Sequence, residues 1–226
     1  MHTYIFDFNG TMVMDSYMHE TAWRYYVEQL CHRKVSQAEF QKHVHGKTSP
    51  AILEHFLGEK ILSPQKLAAY SEEKEALYRE LCLQNKERFH LTDGLPEFLD
   101  TAKKNNISMT IATAANLANI NFYFDYFGLD KWFDKDRVAY DNGCLKGKPE
   151  PDIYLQAMHL LSAKPEDCIV FEDAVSGVIS AHRAGAGRII GIYGDSDCKL
   201  LQETGFVDIC IRNFCEASHF PNIIFD

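Results

Sequence analysis

The tightest constraint on this chain is a set of short apolar segments that each end on polar residues and alternate with helical stretches. Thr3-Tyr-Ile-Phe-Asp7, Ile107-Ser-Met-Thr-Ile-Ala-Thr113, Cys168-Ile-Val-Phe-Glu172 and Arg188-Ile-Ile-Gly-Ile-Tyr193 are rich in β-branched and aromatic residues, as strands are. Val207-Asp-Ile-Cys-Ile211 reads as a further, edge strand. Residues 96–104, 117–127, 152–161 and 175–184 read as helices, with Gly128 and Gly185 at two of their ends. Strands alternating with helices predict an α/β class, with a doubly wound parallel sheet (Rossmann-like) covered on both faces. Ligands of such sheets bind beyond the carboxyl ends of the strands. Asp7, Thr113 and Glu172-Asp173 all fall at such ends, so one crevice is expected to collect them.

Residues 16–89 have a different character. Met18, Ala22, Tyr26 and Leu30 recur every four residues, the spacing of one helix face. Ser36-x-x-Glu39 suits a capping box, and Ser49-Pro50 and Ser63-Pro64 each set a cap residue before a first-turn proline. Gly58 marks a stop, and Leu67, Tyr70, Leu77 and Leu81 mark the apolar side of a fourth helix. The expectation is an all-α four-helix insert over 15–89 within a core made of 1–14 and 90–226.

Charge and cysteine usage exclude several classes of partner. A net charge of −9 and a pI near 5.6 disfavour sequence-independent nucleic-acid binding, which needs dense Lys and Arg. No basic run suits an anionic membrane surface, and no apolar run reaches the ~18 residues of a span. The seven cysteines are odd in number and form no C-x-x-C, against a disulfide framework or zinc site. The N-terminus shows no charged-then-apolar leader pattern. These features lead us to expect a cytoplasmic protein, a monomer or weak dimer, with a small-molecule partner and no nucleic acid or membrane.

Asp7 ends a strand and precedes Phe8-Asn9-Gly10-Thr11. A carboxylate there can attack a phosphoryl group and form an aspartyl-phosphate; it can equally cap the next turn. In Val170-Phe-Glu-Asp-Ala-Val-Ser-Gly177 two adjacent carboxylates end a buried strand. Like charges so close to Asp7 are costly without a cation, and Mg2+ favours carboxylates with water and phosphate oxygens. Asp7 with Asp173 fits that need, with Glu172 acting through water or from behind them; the alternative is a helix start that tolerates acids. Thr113, followed by Ala114, suits either a phosphate cradle or an ordinary helix cap. Lys146-Gly-Lys148-Pro-Glu-Pro-Asp152 carries cations that can neutralise phosphate charge, although loop lysines commonly face solvent, as we expect of Lys146.

Together these segments resemble the haloacid dehalogenase-type superfamily, and within it the β-phosphoglucomutase-like and phosphatase branch. Asp7-Phe-Asn-Gly-Thr11 is similar to its first motif, Thr113 to the second, Lys148-Pro149 to the third and Glu172-Asp173 with Ala174-x-Ser-Gly177 to the fourth. Their order and spacing agree across almost the whole chain. The resemblance implies that the helical insert is a cap domain and that Asp7 is the nucleophile. It implies Mg2+ held by Asp7, Asp173 and the Asn9 main-chain carbonyl, and a phosphoryl group held by Thr113, Ala114 and Lys148. It also places His19 and Gly46-Lys47-Thr48 of the cap near substrate.

The chain departs from that pattern at Asn9, where phosphatases and mutases of the family usually carry a second aspartate. That aspartate protonates the leaving oxygen and later activates water. An amide has no proton to titrate and can do neither. General acid–base catalysis contributes ~10²–10⁴-fold, so turnover is expected to slow rather than vanish. The leading expectation is a phosphatase of a small phosphorylated metabolite, a sugar phosphate by preference. The rivals are a sugar-phosphate mutase and a phosphate-ligand binding protein with little turnover. A dehalogenase fits less well, because its chemistry has no use for the implied magnesium.

Overall fold

Strand β1 (Thr3–Phe6) is buried along its whole length because it lies inside a sheet whose two faces are covered by helices. The computed structural model describes residues 2–44, 49–58 and 63–219. Strands β2 (Ser108–Ile111), β3 (Cys168–Glu172), β4 (Arg188–Ile192) and β5 (Ile209–Ile211) join β1 in one parallel sheet of order β2-β1-β3-β4-β5. The order reverses between β1 and β3, the switch point at which doubly wound sheets open a crevice.

The period of two along each strand sorts the core into two layers. Tyr4 and Phe6 of β1 and Phe171 of β3 face one way, with the Phe6 and Phe171 rings stacked 4.7 Å apart. Phe98, from helix α5 (Leu95–Lys104), packs on all three rings, as does Phe214 on Phe6 and Phe171. Such ring pairs add ~0.5–1.5 kcal/mol each beyond their buried area. Ile5 and Val170 face the other way, against Ile153, Tyr154, Ala157 and Met158 of α7 (Asp152–Leu161) and Val178 and Ala181 of α8 (Val175–Arg183). Helix α6 (Leu117–Phe127) lies between β2 and α7 in sequence, and a short helix α9 (Lys199–Gln202) precedes β5.

The strands are shorter than the apolar segments suggest. Strand β2 stops at Ile111, and the ladder continues only as a single bridge from Ala112 to Ala139, with the Thr113 N–H donating to the Ala139 carbonyl (3.0 Å). Thr113 therefore lies in a turn past the strand rather than at its last position. Strand β5 is the sheet edge, as its composition predicts, but begins two residues later than Val207.

Contacts divide the chain into two units, Met1–Met14 with His90–Asp226, and Asp15–Phe89. The second unit is all helical: α1 (Ser16–Cys31), α2 (Gln37–His43), α3 (Ser49–Leu57) and α4 (Pro64–Gln84). Ser36 and Ser63 cap α2 and α4 by accepting from the Glu39 and Lys66 N–H groups, and such caps are worth ~1 kcal/mol each. Ser49 itself is helical, so α3 begins one residue earlier than its proline implies. Val27, Val35, Phe40, Val44, Ile52 and Phe56 form the apolar centre.

Helix α4 departs from the expected stripe. Leu67, Tyr70, Leu77 and Leu81 are only half-buried, and the buried face is Lys74, Tyr78 and Cys82. Polar groups take the inner side because they are paired there: the Tyr78 hydroxyl donates to Asp15, and the Lys74 ammonium meets Glu75 and His19. Among the described residues no helix is long and apolar enough to cross a membrane. All seven cysteines are free thiols.

Candidate active site

Asp7 follows the last residue of β1, and its N–H still pairs with the Phe171 carbonyl of β3 (3.0 Å). That bond carries the side chain just beyond the carboxyl end of the strand at the switch point, where the residue is 6% exposed. Glu172 ends β3 and Asp173 follows it. One carboxylate oxygen from each of Asp7, Glu172 and Asp173 lies within 4.8 Å of the others. Carboxylates as much as 166 residues apart in the chain therefore lie close enough together that one ion could bridge them.

The two acidic residues of the strand end are held differently. Glu172 accepts from the Tyr154 hydroxyl (2.9 Å), the Ala174 N–H (2.8 Å) and the Lys148 ammonium. It is buried, and α8 passes so close that a Cβ on Gly177 would overlap its carboxylate. Asp173 accepts from the Thr11 hydroxyl (3.2 Å) and rests against the Gly10 backbone, where a Cβ would again collide. Gly10 has φ +85°, which a side-chain-bearing residue adopts at a cost. The Asp-x-Asn-Gly-Thr turn thus folds around Asp173 as much as it follows Asp7.

Lys148 bridges Asp7 (2.6 Å) and Glu172, with its ammonium 4.9 Å from the centre of the Tyr154 ring. Burial opposes its charge, but the carboxylates of Asp7 and Glu172 outweigh that and hold it well above its ordinary pKa. Asp173 is raised well above the carboxylate range by burial first, then by the charges of Glu172 and Asp7. Three carboxylates against one ammonium leave a surplus of negative charge in a buried setting, and a divalent cation relieves it. The donors are all oxygens, the set that suits Mg2+ rather than a softer metal.

Thr113 and Ala114 line a small open cleft together with Asp141, Leu145, Lys146, Gly147, Lys148 and Ile153. The Thr113 hydroxyl accepts from the Ala115 N–H (3.1 Å), and the cap of α6 is Asn116, which accepts from the Asn119 N–H (2.9 Å). The ordinary helix-cap reading of Thr113 is therefore displaced by Asn116. Lys146 is exposed, as expected, while Lys148 turns inward. Asn9 donates from Nδ2 to the Tyr123 hydroxyl of α6 (2.9 Å), and the Tyr123 ring stacks on Phe8 at 4.0 Å.

Two of these residues escape sequence reasoning. Tyr154 sits inside an ordinary apolar helix face, and Tyr123 in an aromatic run, so neither has a local signal; only their hydroxyl partners reveal them. In the helical unit, His19 stacks on Tyr78 (3.8 Å) and meets Lys74 (3.1 Å) and Asp15 (3.6 Å). Burial lowers its pKa to about 4, with Asp15 opposing and Lys74 assisting, so it is neutral near pH 7. Lys74 has no counterpart among the expected site residues. Gly46, Lys47 and Thr48 lie outside the described residues.

Gly177 offers a test of the packing behind the carboxylates. In a helix interior Gly→Ala ordinarily stabilises by ~1 kcal/mol. Here the new methyl would drive Glu172 off its three partners. We expect Gly177→Ala to destabilise by ~1–3 kcal/mol instead, read from the midpoint of denaturant unfolding. A stabilised variant would show that Glu172 is not held against α8.

The fold and crevice define an α/β protein that gathers three carboxylates and one ammonium at a sheet switch point. The model of haloacid dehalogenase-like hydrolases matches residues 1–185. The chain belongs to the haloacid dehalogenase-like hydrolase family. Among solved structures it is similar to a family IA, variant 3 hydrolase from Entamoeba histolytica, at 35% identity and TM-score 0.89 over 100% of both chains. It is 34% identical to the phosphorylated carbohydrates phosphatase of Thermotoga maritima over 60% of this chain, and spans only 59% of that relative's length. It is 28% identical to hexitol phosphatase A of Escherichia coli, over 90% of this chain and 88% of that protein.

Proposed function

We propose that this chain is a magnesium-dependent phosphatase of small phosphorylated metabolites, working through an aspartyl-phosphate on Asp7. The observation that carries the reading is the meeting of Asp7, Asp173 and Lys148 at the switch point. The phosphatases of phosphorylated carbohydrates and of hexitol phosphates among its relatives favour a sugar phosphate as substrate. Asp7, Asp173 and the Asn9 main-chain carbonyl would hold the ion. When bound, it would offset the crowded carboxylates and the phosphoryl charge. Glu172 serves differently: its oxygens are engaged by Lys148, Tyr154 and the Ala174 N–H, which suits it to orienting the lysine.

Asp7 attacks phosphorus, the bond to the leaving oxygen breaks, and water later releases phosphate from Asp7. Thr113, Ala114 and Lys148 take the phosphoryl oxygens, the lysine as a fixed positive charge. We read the insert of residues 15–89 as the cap, the part of the chain that would choose among substrates. The unpaired thiols suit a reducing cytoplasm.

The test is release of inorganic phosphate from a panel of sugar phosphates, with Mg2+ and with the ion removed by chelator. We expect slow turnover that needs the metal and returns when Mg2+ is restored. Turnover unaffected by chelation would sink the metal assignment. Isomerised sugar phosphate in place of free phosphate would show a mutase.

A further inference from the structure

The reading of Asp7 as nucleophile raises a question about leaving groups, and the residues around it supply an answer. When Asp7 takes the phosphoryl group, the electron pair of the broken P–O bond stays on the departing oxygen. A sugar hydroxyl oxygen leaves as an alkoxide and needs a proton as it goes. A carboxylate oxygen, as in an acyl phosphate, leaves as a stable anion and needs none. The proton supply of the site therefore selects the donor.

Among the described residues of the α/β unit, the polar side chains next to Asp7, Glu172 and Asp173 are engaged with one another or with neighbouring main chain. Asn9 has no titratable proton, and its amide donates to the Tyr123 hydroxyl at 2.9 Å. Thr11 donates to Asp173, Tyr154 donates to Glu172, and Thr113 accepts from the Ala115 N–H. Lys148 spans Asp7 and Glu172 as an ion-pair partner. Asp141 and Lys146 line the cleft from its exposed side, and Asp141 accepts from the Gly143 N–H (2.8 Å).

The same arrangement governs the second step. Water that attacks the phosphorus of phosphorylated Asp7 must surrender a proton as the P–O bond to Asp7 breaks, and the Asn9 amide cannot accept it. We propose that the chain takes its phosphoryl group preferentially from acyl phosphates and holds it as a long-lived phosphoenzyme on Asp7. In the first step the Asp7 oxygen bonds to phosphorus while the acyl carboxylate departs with its electron pair; no proton moves. Sugar phosphates remain slow donors at the same site, and the phosphoenzyme awaits either slow hydrolysis or an acceptor better than water.

The experiment uses the full chain with Mg2+ and compares acetyl phosphate with glucose 6-phosphate as donors. Quenched samples are read by intact mass for the gain of one phosphoryl group, with Asp7→Asn as the control that cannot form the bond. We expect phosphoenzyme from acetyl phosphate at a rate ~10²–10⁴-fold above that from the sugar phosphate, the size of a missing general-acid contribution. After removal of donor, the phosphoryl group should persist far longer on this chain than on Asn9→Asp. Equal rates from the two donors, or equally brief lifetimes on the two proteins, would overturn the inference while leaving Asp7 as nucleophile. The absence of phosphoenzyme from either donor, together with no phosphate release, would overturn the nucleophile assignment as well.

Discussion

Asp7→Asn is expected to lower phosphate release by ~10⁴-fold or more, to the rate seen without protein, while leaving the fold in place. The size follows from the role, because removing a covalent nucleophile forfeits the pathway rather than one contribution to it. The fold should survive because the replacement is nearly isosteric and the main-chain bond from residue 7 to the Phe171 carbonyl is untouched. Lys148 keeps Glu172 as a partner when Asp7 loses its charge. Removing one of three crowded carboxylates also relieves repulsion at Asp173, whose proton affinity Asp7 helps to raise. Steady-state rates with a sugar phosphate, paired with denaturant unfolding of both proteins, separate the two effects. Activity retained within tenfold, in a protein of unchanged stability, would remove Asp7 from the mechanism.

Much of this architecture is written locally in the chain. Helices α6 and α7 occupy the residues their apolar spacing predicts, and Gly128 closes α6 in the left-handed conformation. The strands are legible because a sheet covered on both faces makes them continuously apolar. What local pattern misses is the pairing of distant polar groups. Lys74 and Tyr78 read as the outer side of α4, yet they are buried because Asp15, 63 residues from Tyr78, accepts its hydroxyl proton. A period count scores hydrophobicity and is blind to such partners. The same holds in the crevice. Asp7, Lys148, Glu172 and Asp173 stand out in the chain as charged groups beside strands or turns, and the structure brings them together. Tyr154 and Tyr123 are hidden in apolar helix faces, since only a folded neighbour distinguishes a packing tyrosine from one whose hydroxyl orients a functional group. Thr113 misleads for a related reason: the turn after β2 runs three residues further before Asn116 caps the helix, a length that depends on the bridge to Ala139.

Asn9→Asp is expected to raise sugar-phosphate turnover by ~10²–10⁴-fold, the range of general acid–base catalysis. The site has room for the change, because aspartate has the shape of asparagine and differs in one terminal atom. The neighbour adapts too: Tyr123 now accepts from the Asn9 amide, and a hydroxyl can donate to a carboxylate as readily as it accepts from an amide. The new group lies in a region that already holds Asp7, Glu172 and Asp173. Unlike the amide, a carboxyl group there can deliver a proton to the leaving oxygen and later take one from water. The gain should therefore come with a pH dependence that the parent chain lacks. Turnover should fall at high pH as the new acid loses its proton before the first step, and fall at low pH as the base for the second step stays protonated. A sugar-phosphate rate measured from pH 5 to 9 on both proteins decides the matter. A flat response with no gain at any pH would mean that residue 9 does not face the leaving oxygen, and that its amide serves only to hold Tyr123.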